Sequence, residues 1–172
     1  MKNTKTIITL VLFLTITSTI SLCTNYFFPS HNNGRYMPNN EKIEDVLVRD
    51  IEELTYVGTC FLNLKYDYIR LDRFEDTISY SKKENNSFLT IDREISDVKL
   101  KQNINYLKEK NYSHIIKSAN YVMFVYWENL DSSLSIVYCP IGTPEIERGK
   151  YSKIFEIKQM SKKQWFYCKN ID

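Results

Sequence analysis

Seven residues in a row, Tyr121-Val122-Met123-Phe124-Val125-Tyr126-Trp127, are apolar or aromatic and carry no charge. Side chains alternate between the two faces of a strand, so such a run is apolar on both sides and needs cover on both. The chain must therefore be layered, with this segment near its centre. A rival reading takes Tyr121 and Trp127, together with the later Trp165 and Tyr167, as an aromatic binding surface, because Tyr and Trp recur at binding hot spots. The core is the preferred assignment.

The rest of the chain can supply those layers. A length of 172 residues suits one domain, and 43% hydrophobic against 26% charged residues is the balance of a folded protein. Thirteen Tyr set against 4 Gly and 4 Pro favour pleated surfaces. Ile43, Leu47, Ile51 and Leu54 recur at helical spacing behind Asn40, a suitable N-cap, which predicts a helix over 41–55. From Cys60 to Tyr68 the apolar residues alternate, which predicts a strand. A hairpin is expected over 77–81 and 87–91. A second helix, capped by Ser96 or Asp97, should turn Val98, Leu100, Ile104 and Leu107 inward and end at Lys110, with Asn111 in the left-handed position. Strands are then expected over 114–117, 121–128, 134–139, 153–158 and 164–168. The fold class is α+β: an N-terminal hydrophobic helix, then an antiparallel sheet of about five to seven strands packed by two helices.

Lys2 and Lys5 precede an uncharged stretch, residues 6–24, whose heart is Ile7-Ile8-Thr9-Leu10-Val11-Leu12-Phe13-Leu14. A basic start followed by an apolar run is an export signature, and about 19 residues can just span a hydrocarbon layer of roughly 30 Å. Residues 1–28 are therefore expected to be a signal peptide or an N-terminal transmembrane anchor. Retention is favoured by the lack of a strong small-x-small cleavage site and by Tyr26-Phe27-Phe28, an aromatic belt. Residues 29–40, rich in Asn and Pro, read as a spacer, and 41–172 as a single α+β domain on the extracytoplasmic side.

Chemistry is less legible. A net charge of +2, from 23 basic and 21 acidic residues, is too small for nucleic-acid binding. With two histidines, of which His31 lies in the spacer, no metal site is expected, and no glycine-rich phosphate cradle or other cofactor motif occurs. Catalytic residues are not identified. His114 follows Ser113, but neighbours on a strand face opposite ways and cannot share a proton, so His114 is expected to be structural. Asp67, Asp72, Glu75 and Asp76 cluster, as do Glu145 and Glu147; with Lys65, Arg70 and Arg73 interleaved, ion pairing is the simpler account. Beyond the targeting segment lie Cys60, Cys139 and Cys168. In a simple meander the 153–158 strand would separate the last two by 9 to 10 Å, about two strand widths, unless both lie past strand ends. Pro140 permits that escape, and a Cys139–Cys168 disulfide is expected.

These features point to a non-catalytic, membrane-anchored or exported envelope protein whose sheet domain binds a protein or small ligand. The alternatives are an anchored immunity or inhibitor protein against a toxin and, further off, a hydrolase using the 67–76 carboxylates.

Overall fold

The computed structural model describes residues 37–73, 77–84, 87–118, 120–129, 132–146 and 154–171. All fall within the second of two units into which the chain divides, Gly34–Asp172. The apolar stretch 6–24 lies outside the described residues, and no helix among those described is long and apolar enough to cross a membrane.

The first helix, α1 (Asn40–Asn63), begins one residue earlier than its sequence pattern suggests, because the Asn39 side chain accepts the Lys42 backbone N–H. It also runs through the segment expected to be a strand. Val46, Leu47, Asp50, Leu54, Val57 and Phe61 are all buried at helical spacing, so the 3.6-residue period continues past Cys60. The alternation there is accidental: Phe61, on the outer side of the supposed strand, is fully buried in the helix.

Eight strands follow: β1 (Tyr68–Asp72), β2 (Thr77–Glu84), β3 (Ser87–Glu94), β4 (His114–Ser118), β5 (Tyr121–Glu128), β6 (Ser132–Tyr138), β7 (Ile154–Gln159) and β8 (Trp165–Ile171). Between β3 and β4 lies α2 (Val98–Glu109), whose first turn is capped by Asp97 accepting from Leu100 N–H at 2.8 Å. Asn111 takes φ 71° just beyond its end, as an αL cap should. Val98, expected inside, is 70% exposed; Leu100, Ile104 and Leu107 carry the packing.

All strands are antiparallel neighbours in one sheet, ordered β3-β2-β1-β4-β5-β6-β8-β7. This is one strand more than the upper expectation, and it is not the expected meander. The chain after β6 is long enough to skip a position, so β7 forms the outer edge and β8 returns to pair with β6.

The two helices lie side by side, with α1 across β5 and β6. On this helix face Val122, Phe124, Trp127, Leu134, Ile136, Tyr138, Trp165 and Tyr167 join the helical apolar residues in the main core. Tyr138 and Trp165 stack with ring centroids 4.8 Å apart. A side chain at Gly58 would start 2.6 Å from the Tyr138 ring, so glycine is what allows α1 to approach this closely. The far face has a smaller cluster of Tyr121, Val137, Cys139, Phe166 and Cys168, and Ile146 from the connection after β6 packs against it. On this face Tyr121 and Val125 of β5 are buried and Met123 is half-buried, so β5 is covered fully by the helices and partly on the far side.

Two polar groups sit inside the helix face. Asp50 is fully buried and receives Arg49 Nε at 2.7 Å, Tyr106 Oη at 3.2 Å and Tyr112 Oη at 2.9 Å. Burial together with that carboxylate pushes the Tyr112 hydroxyl well above its ordinary value, so it stays a donor. Lys117 donates its buried ammonium to the Leu64 and Tyr66 carbonyls at 2.6 and 2.5 Å, closing the C-terminal end of α1.

Candidate functional site

Four of the described ionisable side chains converge at one place on the far face. Strand β1 presents Arg70 and Asp72, which share a face because they are two residues apart. Register sets Asp72 directly opposite His114 on β4, and His114 opposite Val125 on β5. Simple alternation would then put Trp127 on the far face and Glu128 under the helices. A β-bulge between Val125 and Trp127 reverses this: Trp127 pairs with Leu134 in the main core, and Glu128 pairs with Ser133 on the side of His114. One extra residue therefore buries the indole and brings the carboxylate to the imidazole.

The resulting quartet is closely bonded. Arg70 donates Nε to Asp72 Oδ1 at 3.0 Å, and its Nη2 lies 2.9 Å from the same oxygen. His114 bonds through Nδ1 to Asp72 and through Nε2 to Glu128 Oε1, the latter at 3.1 Å. The bond to Glu128 raises the His114 pKa above its ordinary value, outweighing the opposing effect of burial; the charges of Glu128 and Asp72 add to it. For Asp72, burial alone would raise the pKa, but Arg70 and His114 overcome it and hold the carboxyl below the usual range. With the imidazole protonated, two positive and two negative charges cancel. Side-chain exposures of 43% for Arg70, 30% for Asp72, 23% for His114 and 31% for Glu128 leave the group reachable from solvent.

Chemically, this is a chain of ion pairs. In the protonated form both ring nitrogens of His114 donate to carboxylates, which leaves the ring no lone pair for a metal. Among the described residues no group of three or more His, Cys, Asp or Glu is arranged to hold a metal ion. Ser113 cannot assist: its hydroxyl is buried and donates to the Val125 carbonyl at 3.3 Å. Burial raises the pKa of the Cys60, Cys139 and Cys168 thiols, the last to about 11, which works against a thiolate.

The expected site residues are dispersed. Trp127, Trp165 and Tyr167 are buried on the helix face and Tyr121 on the far face, so the four aromatics form no common surface. Cys139 and Cys168 are both free. Cys139 follows β6 with its N–H on the Gln164 carbonyl, while Cys168 lies opposite Ser135. They are four residues apart along adjacent strands, about 13 Å at roughly 3.3 Å per residue, which is too far for a bridge. The expected pairing fails because Cys168 lies within β8, opposite Ser135, rather than past a strand end beside Cys139. Of the carboxylates, Asp72 joins the quartet, Asp67 and Glu145 are exposed elsewhere, and Glu75, Asp76 and Glu147 lie outside the described residues.

Sequence reasoning missed Asp72 and Glu128 as the partners of His114. The spacing of Arg70 and Asp72 on one strand face was visible; the bulge that supplies Glu128 was not. Compared with models of known families, with curated proteins and with solved structures, the chain matches none.

Proposed function

We propose that this is a non-catalytic protein carried to the outer side of a membrane by residues 1–28, where its sheet domain binds a protein or small ligand. The binding face is the part of the sheet that bears Arg70, Asp72, His114 and Glu128. The observation that carries this reading is a half-exposed, internally neutralised ionic quartet on the sheet face opposite the helices. Exposed ion pairs add little to folding, so folding alone gives little reason to gather four charged side chains here. Its neutrality suits an interface, since a partner can cover it without stranding a net charge, and Arg is enriched at interface centres.

Export rests on the basic start and the uncharged stretch 6–24. Fractionation should find the chain in membranes or outside the cell, with the domain open to added protease on the outer side. Full-length, unprocessed chain in the cytosol would overturn that half of the reading. For the binding half, a photo-crosslinker at Ile116, half-buried beside the quartet on the far face, should yield a discrete adduct in intact cells. The adduct should disappear with Arg70→Glu and survive Lys101→Glu, a substitution remote from that face. Adducts of equal yield in both variants would defeat the assignment.

A further inference from the structure

We infer that the outer edge of the sheet, β7, pairs antiparallel with β7 of a second copy about a two-fold axis through Ile157. Strand β7 ends the sheet order, and its pairing with β8 is unbroken from Ile154 to Gln159, with no bulge and no proline. Natural edges use bulges, prolines and charged side chains against strand addition; β7 has only the last, Glu156 and Lys158. Which backbone groups face outward follows from one bond. Met160 N–H donates to the Trp165 carbonyl at 2.8 Å, so residue 160 turns its backbone groups toward β8. Alternation then turns 158, 156 and 154 the same way, and Phe155, Ile157 and Gln159 outward.

A two-fold axis at Ile157 satisfies all these outward groups. Ile157 faces Ile157 of the second copy, and Phe155 faces Gln159, each pair exchanging N–H and C=O. The axis also sets Glu156 opposite Lys158, and Lys158 opposite Glu156. The charge order of the strand is therefore complementary to itself, which is the reason to choose a second copy over another peptide. Moving the axis to Glu156 or to Lys158 would oppose like charges, which destabilises a sheet. Glu156 is prepared for this role: one of its carboxylate oxygens accepts the Tyr167 hydroxyl at 2.8 Å, and Lys158 is exposed. On the far face Phe155 and Ile157, half-buried against the smaller apolar cluster, would continue that cluster into the second copy.

The pairing does not depend on the binding face or on export. It is tested on the full chain in detergent micelles. Sedimentation should show a concentration-dependent dimer. Lys158→Glu should weaken it about tenfold, because two symmetry-related pairs turn repulsive at once. The exchanged variant Glu156→Lys with Lys158→Glu, complementary again, should regain it. Cysteines at 156 and 158 together should cross-link the dimer under mild oxidation, whereas a cysteine at 156 alone should not, being displaced by two residues from its own copy. A chain monomeric at every concentration would overturn the pairing, as would a dimer that neither responds to Lys158→Glu nor cross-links through 156 and 158.

Discussion

Two carboxylates, each beside an arginine close in sequence, lie on opposite faces of the same sheet. Asp50 on the helix face has no exposed side-chain surface, and its ligands come from α1, α2 and the turn after α2. Asp72 on the far face keeps 30% exposure and is held by its own strand and the next. Their chemistry is alike; their solvent is not. Removing a partner from the buried group leaves donors that water cannot reach, whereas at the half-exposed group water replaces what is lost. The first arrangement holds two helices and a turn together. The second can be rearranged at small cost, which the proposed binding role requires.

The sharpest way to break this contrast is to delete each carboxylate in turn. Asp50→Ala should lower unfolding free energy by about 3 kcal/mol in urea titrations, since the buried Tyr112 hydroxyl loses its acceptor. Asp72→Ala should cost under about 1 kcal/mol, and equal losses would erase the distinction. Next in size is the tightness of the helix face. Gly58→Ala adds about 1 kcal/mol of helix preference but drives a methyl into the Tyr138 ring, an overpacking cost of about 1–3 kcal/mol. The net expectation is a lower melting temperature, where an exposed helical glycine would give a higher one.

A smaller effect comes from pH. The folded pKa of His114 is raised, so its stabilisation is complete below its ordinary value of 6.5 and is lost as pH climbs through the raised one. Asp72 is lowered, so its contribution is present above 3.8 and is lost as pH falls through the lower folded value. Stability from the quartet should therefore peak between these limits, and His114→Gln should flatten the alkaline side. Smallest in energy is the state of the thiols. Non-reduced peptide maps should contain no Cys139–Cys168 link, and native Cys168, with its pKa pushed up to about 11 by burial, should alkylate slowly at pH 8.

Much of the fold was legible because local signals and burial agreed. The α2 face, its Asp97 cap and the αL Asn111 follow from a few neighbouring residues, and the need to cover β5 twice follows from its composition. Misreadings arose where two periods fit the same letters. Cys60, Leu62 and Leu64 alternate, yet Leu54, Val57 and Phe61 continue a helix, and tertiary burial chose the helix. Strand order was hidden because nothing local says that the connection after β6 skips a position; the disulfide expectation fell on register, which sets Cys168 opposite Ser135. For the site, the pairing of Arg70 with Asp72 was readable as an ordinary ion pair. Glu128 was not, because its facing depends on a bulge that no single residue announces.

The ammonium of Lys117 carries a consequence for the order of events during folding. It bonds carbonyls 53 and 51 positions earlier in the chain, at Leu64 and Tyr66. A growing or threading polypeptide that has delivered its opening helix still lacks the group that seals that helix's last turn. Until β4 arrives, those oxygens must remain hydrated, so the helix end cannot be desolvated against the sheet. Any fragment stopping short of position 117 should accordingly keep a frayed, protease-sensitive end at residues 60–66, however well its first turns have formed.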